Sequence, residues 1–394
     1  MQTGKSLELS VGKLIVGNGE VLEGVHVGVE EGKIAEVSVK GLSGEYGEKV
    51  DLEDFVVMPG LIDAHVHIKY TGKPDTIEHT DEYLAIRGVE LARRALMAGC
   101  TSLADAGAVR NVAFAARNAI NDGVVLGPRL FVCGEMITMT GGRSTKPGMR
   151  MEVDGPDSAR KAARQLLMYY GADFIKLGAT GAISSPHTGP RHPQLTVEEM
   201  KACVEEAHNC AKKVHAHCYG EQGITNAIEA GADVIVHGQS LTDDHIASMK
   251  GRGMMLMPTL KTYWGHYEHW VETGVPERTV TSGIWDLTEA NFKKAVREGI
   301  PFAMGTDSGM TDNFFGDNPK DLEYMVKWGV TPSQAIIAGT LDAARSLAID
   351  DKLGSIEEGK LADLLVLRED PTQDITAIRT SLERIMLNGR FVKG

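Results

Sequence analysis

Val214-His-Ala-His217, a helix-patterned stretch closing on Glu229-Ala-Gly231, and then Val234-Ile-Val-His237 form the passage on which the fold turns. Each outer piece is a short apolar run of strand type that stops on a histidine. The glycine between them suits the left-handed backbone of a helix C-terminus. Met97-Ala-Gly99 and Arg297-Glu-Gly299 repeat the stop phrase, and each is followed at once by another apolar run.

Outward from this passage, short apolar runs alternate with longer helical patterns. The candidate strands are Val56–Ala64, Ser102–Asp105, Leu130–Cys133, Phe174–Leu177, Val214–His217, Val234–His237, Met254–Met257 and Phe302–Thr306. Thr196-Val-Glu-Glu199 and Thr331-Pro-Ser-Gln334 read as capping boxes, and Gly99 closes a helix that begins near Asp81. This is the rhythm of βα units on a parallel sheet, and eight strands close a (β/α)8 TIM barrel. The fold class is therefore α/β.

The two ends of the chain have another style. Lys13–Val16, Val25–Val29 and Ile34–Val37 are separated by Gly17-Asn-Gly19 and Glu31-Gly-Lys33, and Ala362–Leu367 and Arg384–Val392 resume the pattern with Asn388-Gly389 as a two-residue turn. We expect residues 1–57 and 350–394 to pair into a small β-sandwich and residues 58–349 to form the barrel. A chain of 394 residues accommodates both, because single cores stop growing near ~250–300 residues.

Composition excludes several classes. A net charge of −13 without a basic run argues against nucleic acid as a partner. The sequence has no apolar run long enough for a bilayer or a signal peptide, which gives an expectation of no membrane partner and a cytoplasmic location. The five cysteines, Cys100, Cys133, Cys203, Cys210 and Cys218, are odd in number and show no Cys-x-x-Cys pair, so they read as reduced packing residues.

Catalytic groups of a barrel sit where strands end. His65 and His67 lie at i, i+2 near the end of the first strand, which puts both imidazoles on one side of an extended chain. Lys176, His217, His237 and Asp307 stand at or near the ends of the fourth, fifth, sixth and eighth. A single histidine in such a place is more often a hydrogen-bonded packing residue than a ligand, but six metal-capable groups at equivalent ends are hard to dismiss. His215 sits deeper in its strand and is read as structural. Lys176 lies in the apolar run Ala172-Asp-Phe-Ile-Lys-Leu-Gly178, where an ammonium is costly. Burial exposes a neutral amine, which can take up CO2 to form a carbamate able to bridge two cations. The alternative is a snorkelling or ion-paired lysine.

Pro59-Gly-Leu-Ile-Asp-Ala-His-Val-His67, Gly305-Thr-Asp-Ser308 and Gly354-Ser-Ile-Glu-Glu-Gly-Lys-Leu-Ala-Asp363 resemble the first-strand, last-strand and small-domain signatures of the amidohydrolase superfamily. Phe174–Leu177, His215–Ile224, Val236-His-Gly238 and Pro258-Thr-Leu-Lys-Thr-Tyr263 look most like its prolidase-like and imidazolonepropionase-like group. The resemblance implies that His65, His67 and Asp307 bind the more buried of two divalent ions, with zinc the expectation. His217 and His237 then bind the other, and Lys176, carboxylated by CO2, bridges both. It also implies a substrate contact for Tyr263. Relatives commonly carry Gly-Gly-His after the third strand, where this chain has Gly141-Gly-Arg143; Arg143 either replaces that histidine or forks onto a substrate carboxylate.

The implied reaction is hydrolysis of an amide bond in a dipeptide or N-acyl amino acid. A water activated between the metals attacks the carbonyl, Tyr263 or Arg143 assists the oxyanion, and Asp307 shuttles the proton. Two rivals accompany it within the fold: ring opening of a cyclic amide or deamination of a heterocycle, against which Lys176 weighs in the second case, and a non-catalytic scaffold. The partner is a small amide, and barrels of this type often form homo-oligomers. The loop Ser184–His192 offers His187 and Arg191 as pocket residues. Met254–Met257, Trp264, Tyr267 and Trp270 are read as packing.

Overall fold

The computed structural model describes residues 6–73, 79–142, 150–182, 188–274 and 284–393. The two ends of the chain meet in one seven-stranded sheet. Its members are β1 (Leu7–Ile15), β2 (Val21–Glu30), β3 (Lys33–Ser38), β4 (Glu48–Pro59), β14 (Leu364–Leu367), β15 (Leu382–Leu387) and β16 (Arg390–Lys393), in the order β16-β15-β14-β4-β1-β2-β3. β14 joins the C-terminal strands to β4 in antiparallel register, Leu364 opposite Pro59, while β1 and β4 run parallel. Burial alternates along the first part of β1, so that Leu7, Leu9 and Val11 enter an apolar cluster with Val25, Val27, Leu52 and Met386. Asn388 and Gly389 both have positive φ, 53° and 74°, as a type I′ hairpin turn requires.

The intervening chain supplies parallel strands. β5 (Leu61–Val66), β6 (Cys100–Asp105) and β7 (Arg129–Val132) form one group. The other comprises β8 (Ile137–Met139), β9 (Met151–Val153), β10 (Ile175–Gly178), β11 (Val214–Cys218), β12 (Val234–His237) and β13 (Met255–Met257), in the order β13-β12-β11-β10-β8-β9. Single backbone bonds link the groups. Asp173 N–H donates to Val132 O at 2.8 Å, Ala303 N–H to Leu256 O at 3.0 Å, and Ala64 N–H to Met304 O at 3.1 Å.

Two details differ from the expected strands. Val56–Ala64 is divided: Val56–Pro59 belongs to the seven-stranded sheet, and the strand that carries the histidines starts afresh at Leu61. Phe302–Thr306 makes only an isolated bridge, Leu256 to Phe302. The reason is local, since the N–H groups of Gly305 and Thr306 donate to the carboxylates of Asp321 and Asp63 rather than to a neighbouring strand.

Helices separate the strands and bury apolar stripes against them. Thr196 and Glu199 form a reciprocal capping box, as do Thr331 and Gln334. The strand interior is filled by Ile62, Ala64, Ala104, Phe174, Val234, Val236 and Met257. Met254–Met257 and Trp264 are buried, the latter stacked on Tyr324 at 5.0 Å, so they serve as packing. All five cysteines are free thiols, and no described helix is long and apolar enough to cross a membrane.

Candidate metal centre

β5 ends by delivering His65 and His67 to one side, and the segment after Phe302 brings Asp307 against them. Asp307 N–H donates to His65 O at 2.7 Å, which fixes the two chains side by side. Its carboxylate Oδ1 then lies 3.1 Å from His67 Nε2 and 3.4 Å from His65 Nε2. Among the described residues these three form a group whose ligand atoms all lie within 4.8 Å of one another. His65 and Asp307 are only 1% and 6% exposed.

The protonation states suit a cation. Burial pushes the Asp307 carboxyl upward, but the hydrogen bonds and charges of His65 and His67 outweigh it and hold the group well below the usual carboxylate range. Burial, and then the nearby charge of Lys176, drives the His65 imidazole well below its ordinary value. The set is thus an anionic oxygen beside a neutral imidazole, the form in which these groups ligate metals.

β11 and β12 end in a second pair. His217 Nδ1 and His237 Nε2 are 2.8 Å apart, and the other nitrogen of each ring is occupied: His237 Nδ1 by Thr259 Oγ1 at 2.8 Å, His217 Nε2 by Gly181 O at 3.4 Å. Fixing one ring nitrogen on an acceptor or hydroxyl orients the other toward a shared ligand. The His65 and His237 rings are 5.9 Å apart, so the two sets form one cluster. Lys176, 1% exposed, stands on β10 opposite His215, two register steps before the Gly178–His217 pair, and its charge is felt at His65, His215 and Cys218.

Backbone strain concentrates here. His237, Thr259 and Asp307 have φ of 72°, 52° and 57°, in the left-handed region that costs most for a β-branched residue such as Thr259. Beneath Asp307 lies a polar network that resists relaxation. Asp63 accepts from Thr306 N–H at 3.0 Å, Thr306 Oγ1 at 2.6 Å and Asn318 Nδ2 at 2.7 Å. Asn313 Nδ2 donates to Thr262 Oγ1 at 2.6 Å and Thr306 O at 2.7 Å, while Lys261 Nζ donates to Asn313 Oδ1 at 2.5 Å. Thr306 and Ser308 flank Asp307 and are themselves linked through Oγ1 and Oγ at 2.6 Å.

The structure brings His65, His67, Lys176, His217, His237 and Asp307 to one end of the parallel strands. His215 is spent elsewhere: its Nε2 bonds Ser346 O at 2.7 Å, its ring packs on Phe174, and burial lowers it to about 4. Tyr263 is wholly buried behind His237, its hydroxyl 3.4 Å from His237 Nδ1 and bonded by Gln239. Arg143 and His187 lie outside the described residues.

Three neighbours of the centre escaped the sequence reading. Thr259 holds His237, Asp63 anchors the turn of Asp307, and Tyr219 stacks on His237 at 4.6 Å. Tyr219 follows His217 at i+2, a spacing that places both on one side of an extended chain and was available as a signal. A cavity of ≈690 Å³ opens beside this cluster, with Tyr219 and Gln239 on its inner wall.

Residues 56–392 match the model of the amidohydrolase family. Ochratoxinase from Aspergillus niger is 30% identical over 375 residues, covering 86% of this chain and 76% of that protein. A solved Xaa-Pro dipeptidase with methionine bound in its active site superposes with a TM-score of 0.90 at 31% identity, covering 99% of this chain and 100% of that one. A prolidase complexed with N-methylphosphonate-L-proline gives 0.86 at 26% identity over 99% and 100% of the two chains. Metal binding is typical of the family, and the His65, His67 and Asp307 group fits such an ion. The chain therefore belongs to the amidohydrolase family, hydrolases acting on carbon–nitrogen bonds.

Proposed function

We propose that this protein is a binuclear metal-dependent amidohydrolase that cleaves the amide bond of a dipeptide or an N-acyl amino acid. The observation that carries the reading is the convergence of an anionic Asp307, His65, His67 and the oriented pair His217 and His237 on one buried point beside Lys176. His65, His67 and Asp307 would hold one divalent ion, zinc being the natural choice, and His217 and His237 the second. Lys176, carboxylated by CO2, would serve both. When bound, the ions supply Lewis acidity, bringing the pKa of water toward neutrality and polarising a carbonyl oxygen.

The chain's own residues do the rest. Asp307 accepts a proton from the attacking water and passes it to the leaving nitrogen as the C–N bond breaks, giving one carboxylic acid and one amine. Its strained backbone is braced by Asp63, Asn313 and Asn318, so the carboxylate stays aligned through both transfers. Thr259 and Tyr263 orient the His237 ring from behind. Two of the similar solved structures, an Xaa-Pro dipeptidase and a prolidase complexed with N-methylphosphonate-L-proline, support a linear amide.

We also read the parallel strands as one closed (β/α)8 barrel over residues 58–349, with 1–57 and 350–394 as its small β domain. The bonds from Asp173 to Val132, Ala303 to Leu256 and Ala64 to Met304 support that closure.

Incubation of metal-replete protein with dipeptides, N-acyl amino acids and cyclic amides, read by product mass, tests the reading. Two products sharing the added water are expected from linear amides. A single hydrated product from cyclic amides alone would replace it with ring opening.

A further inference from the structure

The cavity beside the centre has a lopsided wall. Its described lining includes one permanently charged residue, the exposed Arg191, and no acidic residue; Pro190, Pro193 and Leu287 supply apolar surface beside the buried Tyr219 and Gln239. Arg191 makes no ion pair among the described residues. That is unusual in a chain of net charge −13, where most of the described arginines are paired, Arg160 and Arg164 with Glu206 and Arg117 with Asp173 among them.

The described part of the loop bearing Arg191 is held by backbone bonds. His192 O accepts from Gly181 N–H at 3.0 Å, His192 N–H donates to Gly189 O at 3.0 Å, and Pro193 bridges to Thr180. Arg191 is pressed so closely on the end of β11 that a Cβ added at Gly220 would lie 2.7 Å from its Cα. Gly181, whose carbonyl receives His217 Nε2, is the same residue that holds His192. The backbone beside Arg191 is thereby tied to one of the proposed metal-binding histidines through two hydrogen bonds.

We propose that Arg191 is a specificity-determining residue that binds the free carboxylate of the substrate, so that the preferred substrates are amides of an amino acid with an unblocked C-terminus and an apolar side chain. This rests on the amide-hydrolase reading above. A guanidinium meets a carboxylate with two parallel N–H donors, and the surrounding prolines and Leu287 favour an apolar residue next to it. With no acid on the described wall, an amine-bearing group gains nothing there.

The test compares N-acetyl-L-methionine with its C-terminal carboxamide on wild-type protein, Arg191→Ala and Arg191→Lys. Loss of a charge-assisted hydrogen-bonded pair corresponds to about 10–100-fold. Arg191→Ala is expected to lower the acid-to-carboxamide ratio of kcat/KM by that factor, and Arg191→Lys by less. An unchanged ratio overturns the proposal. Binding of N-acetyl-L-methionine, measured by calorimetry on the same zinc-loaded proteins, separates the two readings. A ~10-fold or greater weakening in Arg191→Ala is expected whether or not the ligand is turned over, and equal affinities overturn the role of Arg191. Wild-type protein that binds the acid through Arg191 but cleaves no amide contradicts the hydrolase reading alone.

Discussion

His65, His67 and Asp307 rest on a buried network of ionisable side chains, whereas His217 and His237 rest on neutral contacts. Under the first group lie Asp63, Asp321 and Lys261, all buried and tied together through Thr306, Asn313 and Asn318. Around the second are a threonine hydroxyl, a backbone carbonyl and the rings of Tyr219 and Tyr263. Under the proposed function the difference is one of task. A carboxylate that must carry a proton while held at a φ of 57° needs a frame that cannot relax, and buried, fully hydrogen-bonded networks provide one. Imidazoles that only ligate need their rings turned correctly, which one hydrogen bond and a stacked aromatic accomplish. The second group is also the one that meets the cavity, so substrate touches the lightly framed side.

The largest expected effect falls on the charged side. Asp307→Asn should lower kcat by about 10³-fold, the scale of a lost proton shuttle, while most metal is retained. Activity surviving in that variant would dissolve the distinction between the two groups. Lys176 stands between them, and Lys176→Ala should lose metal and about 10²-fold in activity, with partial rescue by short-chain carboxylic acids. Metal content and rates with and without added acid decide this, and full activity without rescue would remove the carbamate.

Two supporting residues sharpen the comparison directly. Asp63→Asn puts an amide where four donors converge, and should lower kcat by ~10–100-fold with both metals present. Thr259→Val frees the His237 ring and should show chiefly as ~10-fold weaker binding of one metal. Metal titration beside steady-state kinetics distinguishes them, and the reverse pattern would exchange the two roles.

The smallest effect on turnover belongs to Asp321, whose consequence is for stability. Burial raises its carboxyl to about 7. The folded state thus holds a proton that the unfolded chain releases near its ordinary value of 3.8. The resulting stabilisation is fully present below that value and is lost as pH rises through about 7, by an amount on the order of a few kcal/mol. In thermal melts from pH 4 to 8, wild type should lose stability relative to Asp321→Asn as pH rises, and parallel curves would refute the shift.

The proposed ligand residues stand out in the sequence because each lies at or near the end of a short apolar run, and the structure sets them at one end of the parallel strands. The frame could not. Asp63 meets Thr306 and Asn318 across 243 and 255 residues, a juxtaposition that strand register creates and no local pattern records. The run Val56–Ala64 hid a boundary for a related reason. Both halves are buried and apolar, yet Val57 pairs with Val366 in the seven-stranded sheet and Leu61 with Cys100 in the parallel one. Arg191 stood out only as a polar loop residue until the fold set it in a cavity wall with no acidic residue among the described lining.

Elemental analysis of the active protein bears most directly on the central claim. Two tightly bound divalent ions per chain are predicted, falling to one or none in His217→Ala and in His237→Ala, with activity abolished by chelation and restored by zinc. Undiminished amide hydrolysis by protein holding less than one divalent ion per chain would contradict it.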